Sequence, residues 1–421
     1  SPTTDIEKSL VKIWSEVLRT KEEEIGLSSD FFDLGGDSIK SIQVVARMRN
    51  IGYELRISDV MGSSILGDMA IKVKPLTRKI SQQAVEGDIV LSPIQEGFLQ
   101  NDFAKGSVKE KQLFHQSFFL NFEQGLSYQE ADQTAKYLIT HHDVLRMPYR
   151  QDDQGTWHQY NNDTTGEFHS IEEIDLRAVP EPLLSETIQA HSESIKQSIC
   201  FTNNGPFVKL GLFQLKDHSE LLIVIHHLVI DLVSWRILFD DINTLLNQIR
   251  TGKKSQLPEK TDSFKYWMEQ NKVYSDGDVL SKQRSYWESV TNQKTDVFPV
   301  AHLEGKNTFG VSKHIHFTLS KAETENLQKS LTKNNKLEIN TLLLLAFSQG
   351  LNRTFGLETV KVTLEGHGRE EYIKDVDITR TVGWFTSMYP IVLTAPEKEN
   401  QFSLEEIVSY NDGLKIIPNK G

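Results

Sequence analysis

Apolar residues recur at helical spacing from the start of the chain. Ile6, Leu10, Ile13, Trp14, Val17 and Leu18 share one face, and Thr4 with Glu7 three residues on forms a capping box at its head. A polar loop then leads to Leu-Gly-Gly-Asp-Ser, and beyond Ser38 the residues Ile39, Ile42, Val45 and Ala46 give a second apolar face, with short helical patterns through Met69. Residues 1–73 therefore read as a small all-α unit of four-helix size. Residues 74–87 mix Lys, Arg, Gln and one Pro with neither period, and read as a linker. From 88 onward the texture changes. "LLIVIHH" (221–227) and "MYPIVLT" (388–394) have the composition of strands, while "FKYWMEQN" and "INTLLLLAFSQGLNRTF" have helical patterns. Strands and helices alternate to the end of the chain, which predicts a large α/β body of two lobes, 88–265 and 266–421.

Composition narrows the function classes. The 421 residues exceed one ordinary domain, and a net charge of −12 argues against a nucleic-acid footprint, which needs a basic face. One cysteine, Cys200, leaves no internal disulfide and fits a reducing, cytoplasmic setting. Neither a signal peptide nor a long apolar stretch suggests a membrane. The chain opens Ser-Pro-Thr-Thr without methionine, which reads as a piece of something longer.

Ser38 stands where a helix begins, after two glycines, and no histidine lies near it in sequence to activate it. It is not a nucleophile elbow either, because Gly-Gly-Asp-Ser lacks the glycine two residues after serine and follows no apolar strand. For an isolated Gly-Gly-Asp-Ser the bland reading is a helix-capping serine. The longer fragment "DFFDLGGDSIKSIQVVARM" resembles the attachment motif of peptidyl carrier domains in nonribosomal peptide synthetases. The resemblance implies that Ser38 is a tether for 4′-phosphopantetheine, whose thiol holds an aminoacyl group as a thioester, and that a phosphopantetheinyl transferase installs it. Gly35 and Gly36 keep the turn open, Asp37 adds negative charge, and the following helix N-terminus offers N–H groups to a phosphodiester. Asp directly before the serine resembles the carriers that precede epimerization domains.

The second signal is "LLIVIHHLVIDLVSWRILFDDI": an apolar run ends at His226 and His227, Asp231 follows four residues on, and Leu238, Ile242, Leu245 and Ile249 then mark a helix. With a single acid and no cysteine nearby, this is an unconvincing metal set, and a lone histidine pair is more often structural. The spacing H-H-x-x-x-D resembles the signature of condensation and epimerization domains, two-lobed relatives of chloramphenicol acetyltransferase built around a tunnel. "LSPIQEGFL" at 91, "HHDVLRMPY" at 141, "LEGHGRE" at 364, "RTVGWFTSMYP" at 380 and "IPNKG" at 417 agree in order. The last three look like epimerization signatures, against the alternatives of a condensation domain forming a peptide bond or a non-catalytic helical scaffold.

The resemblance implies inversion of an α-carbon. A base removes the proton from one face of the thioester, the carbonyl stabilises the enolate, and a proton returns on the other face. Glu365 and His227 are the candidate acid/base pair, with their roles left open. A free glutamate, pKa about 4.3, is a poor base, so burial would have to raise Glu365. Asp231 organises the site with Arg146 as its expected ion-pair partner, and His226 is structural. His141 and His142 read as a structural helix end, His367 as either a supporting or a solvated loop residue, and Trp384 and Tyr389 as core or tunnel lining. No metal or diffusible cofactor is implied. An upstream adenylation domain and a downstream condensation domain are the expected neighbours, and similarity to the end of an initiating module implies phenylalanine as the tethered residue. Two departures stand out. Leu232 replaces the family's glycine after the signature acid, which predicts strain if that turn needs positive φ, and the chain stops at "PNKG" where the family continues.

Overall fold

The capping box at Thr4 is made: Thr4 Oγ1 accepts from the Glu7 amide at 3.2 Å, and the Glu7 carboxylate accepts from the Thr4 amide at 3.0 Å. Helix Asp5–Leu18 follows, and packs with helices Ser38–Asn50, Ile57–Gly62 and Leu66–Lys72. The computed structural model describes residues 2–103, 105–202, 205–301, 304–305, 308–334, 337–396 and 402–421. Leu10, Trp14, Phe31, Val44, Met48 and Leu66 are wholly removed from water in this helical unit. Each such side chain contributes roughly 1.5–3 kcal/mol, enough to hold a core of this size only because several are shared among all four helices. The linker expectation needs correction at its start. Lys74–Pro75 pair antiparallel with Tyr53–Glu54, and Arg78 forks onto Asp262 of the large domain at 2.5 and 2.9 Å.

The large domain begins with a four-stranded sheet in the order His115–Phe122, Ser219–His226, Val208–Gln214, His169–Asp175; the last two strands run parallel and the other neighbours antiparallel. The apolar run at 221–225 is explained by its central place. Leu221, Ile223 and Ile225 enter the core that includes helices Tyr128–His141 and Leu232–Arg250, while Leu222 and Val224 face helix Glu181–Gln197 on the opposite side. Gly87–Ile89, Trp157–Asn161 and Tyr149–Gln151 form a smaller sheet.

The second lobe carries helices Phe264–Ser275, Arg284–Asn292, Lys321–Asn334, Ile339–Phe355 and Leu404–Lys415. It also holds the antiparallel pair Thr359–Gly366 and Ser387–Thr394, with Glu365 opposite Met388. A small helical unit is thus followed by a large α/β domain. Among the described residues no helix is long and apolar enough to cross a membrane.

Candidate active site

Ser38 is the first residue of helix Ser38–Asn50, and Asp37 caps that helix by accepting from the Lys40 amide at 2.7 Å. Gly35 has φ +86°, and a Cβ on Gly36 would lie 2.3 Å from the Phe31 ring, so both positions exclude larger residues. The half-buried Ser38 hydroxyl has no hydrogen-bond partner among the described residues. A free hydroxyl at a helix start, in a turn that only glycine can make, fits a covalent phosphodiester there.

His226 ends the central strand. It is buried, its Nε2 lies 2.9 Å from the Lys111 carbonyl oxygen, and burial pushes its pKa down to about 3, which makes it a neutral structural group. His227 opens a turn beside the strand end. Its ring stacks on Phe114 (centroids 4.8 Å, planes 6° apart) and lies 4.7 Å from Trp384. Desolvation lowers its pKa, against the opposing pull of the Asp231 and Glu365 carboxylates.

Asp231 is an organiser, but not through Arg146. It caps helix Leu232–Arg250 by accepting from the Ser234 amide at 2.7 Å, and accepts from Arg369 at 3.1 Å and from the Phe385 amide at 3.2 Å. Arg369 is buried, stacks over Phe385 at 4.0 Å, and donates to the Ile378 and Thr381 carbonyls. Three segments distant in sequence are thereby joined behind His227. Arg146 instead pairs with Asp143 at 2.8 Å and donates to the Asn162 carbonyl and to the carbonyls of Ile139 and Thr140, which the end of helix Tyr128–His141 leaves without helical partners. His142 caps that helix and bonds to the buried Asp241 at 2.8 Å, and Arg380 donates to the same carboxylate.

Leu232 is unstrained. It is the first residue of its helix, with a helical backbone and an exposed side chain, so the signature acid caps a helix here and no positive φ is required. Gly368 does need its glycine: it has φ +65°, and a Cβ would stand 1.6 Å from the Phe385 carbonyl oxygen.

Glu365, next to the end of its strand, is exposed and not buried as expected; its charge acts on His227. The more enclosed carboxyl of the same segment is the half-buried Glu370, which sequence reasoning passed over. Desolvation raises it to about 7. Its Oε1 lies 3.4 Å from Nε2 of His367, whose Nδ1 accepts from the Arg369 amide. His367 is thus a supporting residue, not a solvated one, and burial with the Arg369 and Lys420 charges lowers it to about 4, opposed by Asp231 and Asp37. The charge of Asp37, next to Ser38, is felt at His367.

The carrier is seated by polar contacts. Glu371 accepts from the Ile57 and Ser58 amides at 2.7 and 3.0 Å and from the Ser58 hydroxyl at 2.8 Å, and Arg49 pairs with Asp377 at 2.6 Å. A cavity of about 270 Å³ at this seam is lined by Arg49, Arg56, Trp267, Arg369 and Glu370.

The class defined by this arrangement is a phosphopantetheine carrier joined to a condensation-type acyl domain. Residues 8–72 match the phosphopantetheine attachment site family and residues 85–412 the condensation domain family. The chain belongs to the condensation domain family, within the nonribosomal peptide synthetases, and bears covalently attached 4′-phosphopantetheine. It is 35% identical to surfactin synthase subunit 1 of Bacillus subtilis (strain 168) and 34% identical to tyrocidine synthase 1 of Brevibacillus parabrevis, in each case over 100% of this chain but over 12% and 38% of the relative. Among solved structures, the epimerization domain from the third module of tyrocidine synthetase B matches with a TM-score of 0.76 and 35% identity over 81% of this chain and 76% of that one. The first condensation domain of the calcium-dependent antibiotic synthetase, with a TM-score of 0.58 and 15% identity over 78% and 74%, shares the fold.

Proposed function

We propose that the chain holds an aminoacyl thioester on Ser38 and inverts its α-carbon, in nonribosomal assembly of a peptide. The observation that carries this reading is the convergence behind His227. The Asp231–Arg369 pair binds the histidine turn to the Glu365–Glu370 segment, where the charge of Asp37, beside Ser38, is felt at His367. The likeness to an epimerization domain, far above that to condensation domains, supports the same reading. The bound arm supplies a thioester, whose carbonyl makes the α-proton acidic. The chain's own part is to exclude water with Phe114 and Trp384, to offer a neutral imidazole at His227, and to set the Glu365 carboxylate within reach of that imidazole's field. His226, Asp231 and Asp37 hold strand end, helix start and attachment turn in place.

In this reading residues 1–73 are the carrier, 74–87 the tether, and 88–265 and 266–421 the two lobes. An adenylation domain precedes them, a condensation domain of the next synthetase accepts the product, a phosphopantetheinyl transferase modifies Ser38, and phenylalanine is the tethered residue.

The test loads the arm with an L-aminoacyl group in heavy water, hydrolyses the thioester and separates the enantiomers. Epimerization returns a D/L mixture deuterated at the α-carbon; a purely L, undeuterated residue sinks the reading. A condensation domain, which the family match alone would allow, requires an acyl donor and leaves the centre intact.

A further inference from the structure

Gln116 sits on strand His115–Phe122 opposite Ile225, beside the end of the histidine strand. Its Oε1 accepts from the Trp235 indole N–H at 2.7 Å, and its amide nitrogen lies 2.8 Å from His227 Nε2. An indole nitrogen only donates, so the amide oxygen must be the atom that faces Trp235. The amide NH₂, which also only donates, is then the group turned to His227. It follows that Nε2 accepts, and that the single proton of the neutral ring is on Nδ1. That atom is buried without a hydrogen bond of ordinary geometry, while the backbone of His227 and of Ile230 acts on the ring in the direction that favours a bound proton. Turning the amide over would set N–H against N–H at Trp235, which is itself buried.

We propose that Gln116, aligned by Trp235, is a positioning residue for the reaction. It holds His227 as the Nδ1–H tautomer with the Nε2 lone pair presented, and it opposes the imidazolium, whose Nε2–H would meet the amide NH₂. The proposal rests on the epimerase reading for its reaction but not for its geometry. The α-C–H of the tethered residue displaces the amide from Nε2. His227 then takes the proton there, the C–H electron pair passes toward the thioester carbonyl oxygen, and the repulsion from Gln116 favours giving the proton up again. The other groups acting on His227 are the Asp231 and Glu365 carboxylates, which favour its charge, and His226, which is neutral; Phe114 and Trp384 carry no charge, and the Trp384 indole N–H has no hydrogen-bond partner among the described residues.

The test uses the holo-chain with ¹⁵N-histidine, the His227 signals being assigned by their loss in His227→Gln. Two-bond proton–nitrogen spectra should give a protonated Nδ1 and an unprotonated Nε2. In Gln116→Glu, one carboxylate oxygen keeps the Trp235 bond and the other accepts from Nε2–H. The tautomer should switch, the His227 pKa should rise by about 1–3 units as for an acid beside a base, and α-deuterium exchange should fall at least about tenfold. Gln116→Met, of similar length without donor or acceptor, should give mixed tautomers with the fold kept, as read by thermal melting. An Nε2–H ring in the parent chain, or an unchanged tautomer and pKa in both variants, overturns the proposal. Absence of exchange in a parent chain with the stated tautomer overturns only the epimerase reading.

Discussion

Arg369 is a single residue on which three segments depend. It is fully buried, its charge is met by Asp231, and its other amino group serves two carbonyls of the 378–381 turn. Removing one partner of a buried pair strands the other, so Arg369→Ala should cost roughly 3–5 kcal/mol of stability in urea unfolding. Arg369→Lys keeps the charge but lacks the planar fork, and should recover only part of that loss. Equal stability of all three forms would show the pair to be incidental. Glu370 is the second decisive residue. Its folded pKa, about 7, stands above the ordinary 4.5, so the stability attached to its protonated form is present below 4.5 and is lost as pH rises through 7. Glu370→Gln should therefore gain in melting temperature over the parent as pH goes from 5 to 8; a difference that stays flat with pH would exclude the carboxyl as its source.

At the scale of elements, the turn after the histidines is a helix start. Asp231 supplies the cap and Leu232 the first helical residue, and the leucine side chain is exposed. Restoring the family's glycine would loosen a helical position, so Leu232→Gly should leave α-proton exchange unchanged and lower stability by up to about 1 kcal/mol. A clear rise in exchange on that substitution would mean that the turn is strained after all. The strand Ser219–His226 and the Asp5–Leu18 helix were legible from the chain, because an apolar run and a capping box are local patterns. The pairing of residues 74–75 with 53–54 was not legible: two residues carry no period, and their order comes from a partner some twenty positions away.

Across the whole molecule the carrier is docked by a few charged contacts, which are weak singly and screened by salt. Glu371 stands out because its carboxylate meets two amides at the start of helix Ile57–Gly62, where the residue before the helix, Arg56, makes no side-chain cap bond. Removing Glu371 together with Arg49 should slow α-proton exchange severalfold at low ionic strength, with the gap narrowing as salt screens the parent's own contacts, and leave uptake of phosphopantetheine at Ser38 unchanged by intact mass. Exchange at the parent rate would mean that the seated pose is not the working one. By itself the sequence determined the helical carrier, a serine at a helix start after two glycines, the buried histidine strand and the α/β class, since each is written in contiguous spacing or in a motif. Only the tertiary structure decided that Asp231 answers Arg369 and not Arg146, that Glu370 is half-buried while Glu365 is exposed, and that Gln116 orients His227. Burial and hydrogen-bond partnership are set by segments more than a hundred residues apart, and no local pattern of residues encodes which of two nearby carboxylates, or which of two arginines, the fold will turn inward.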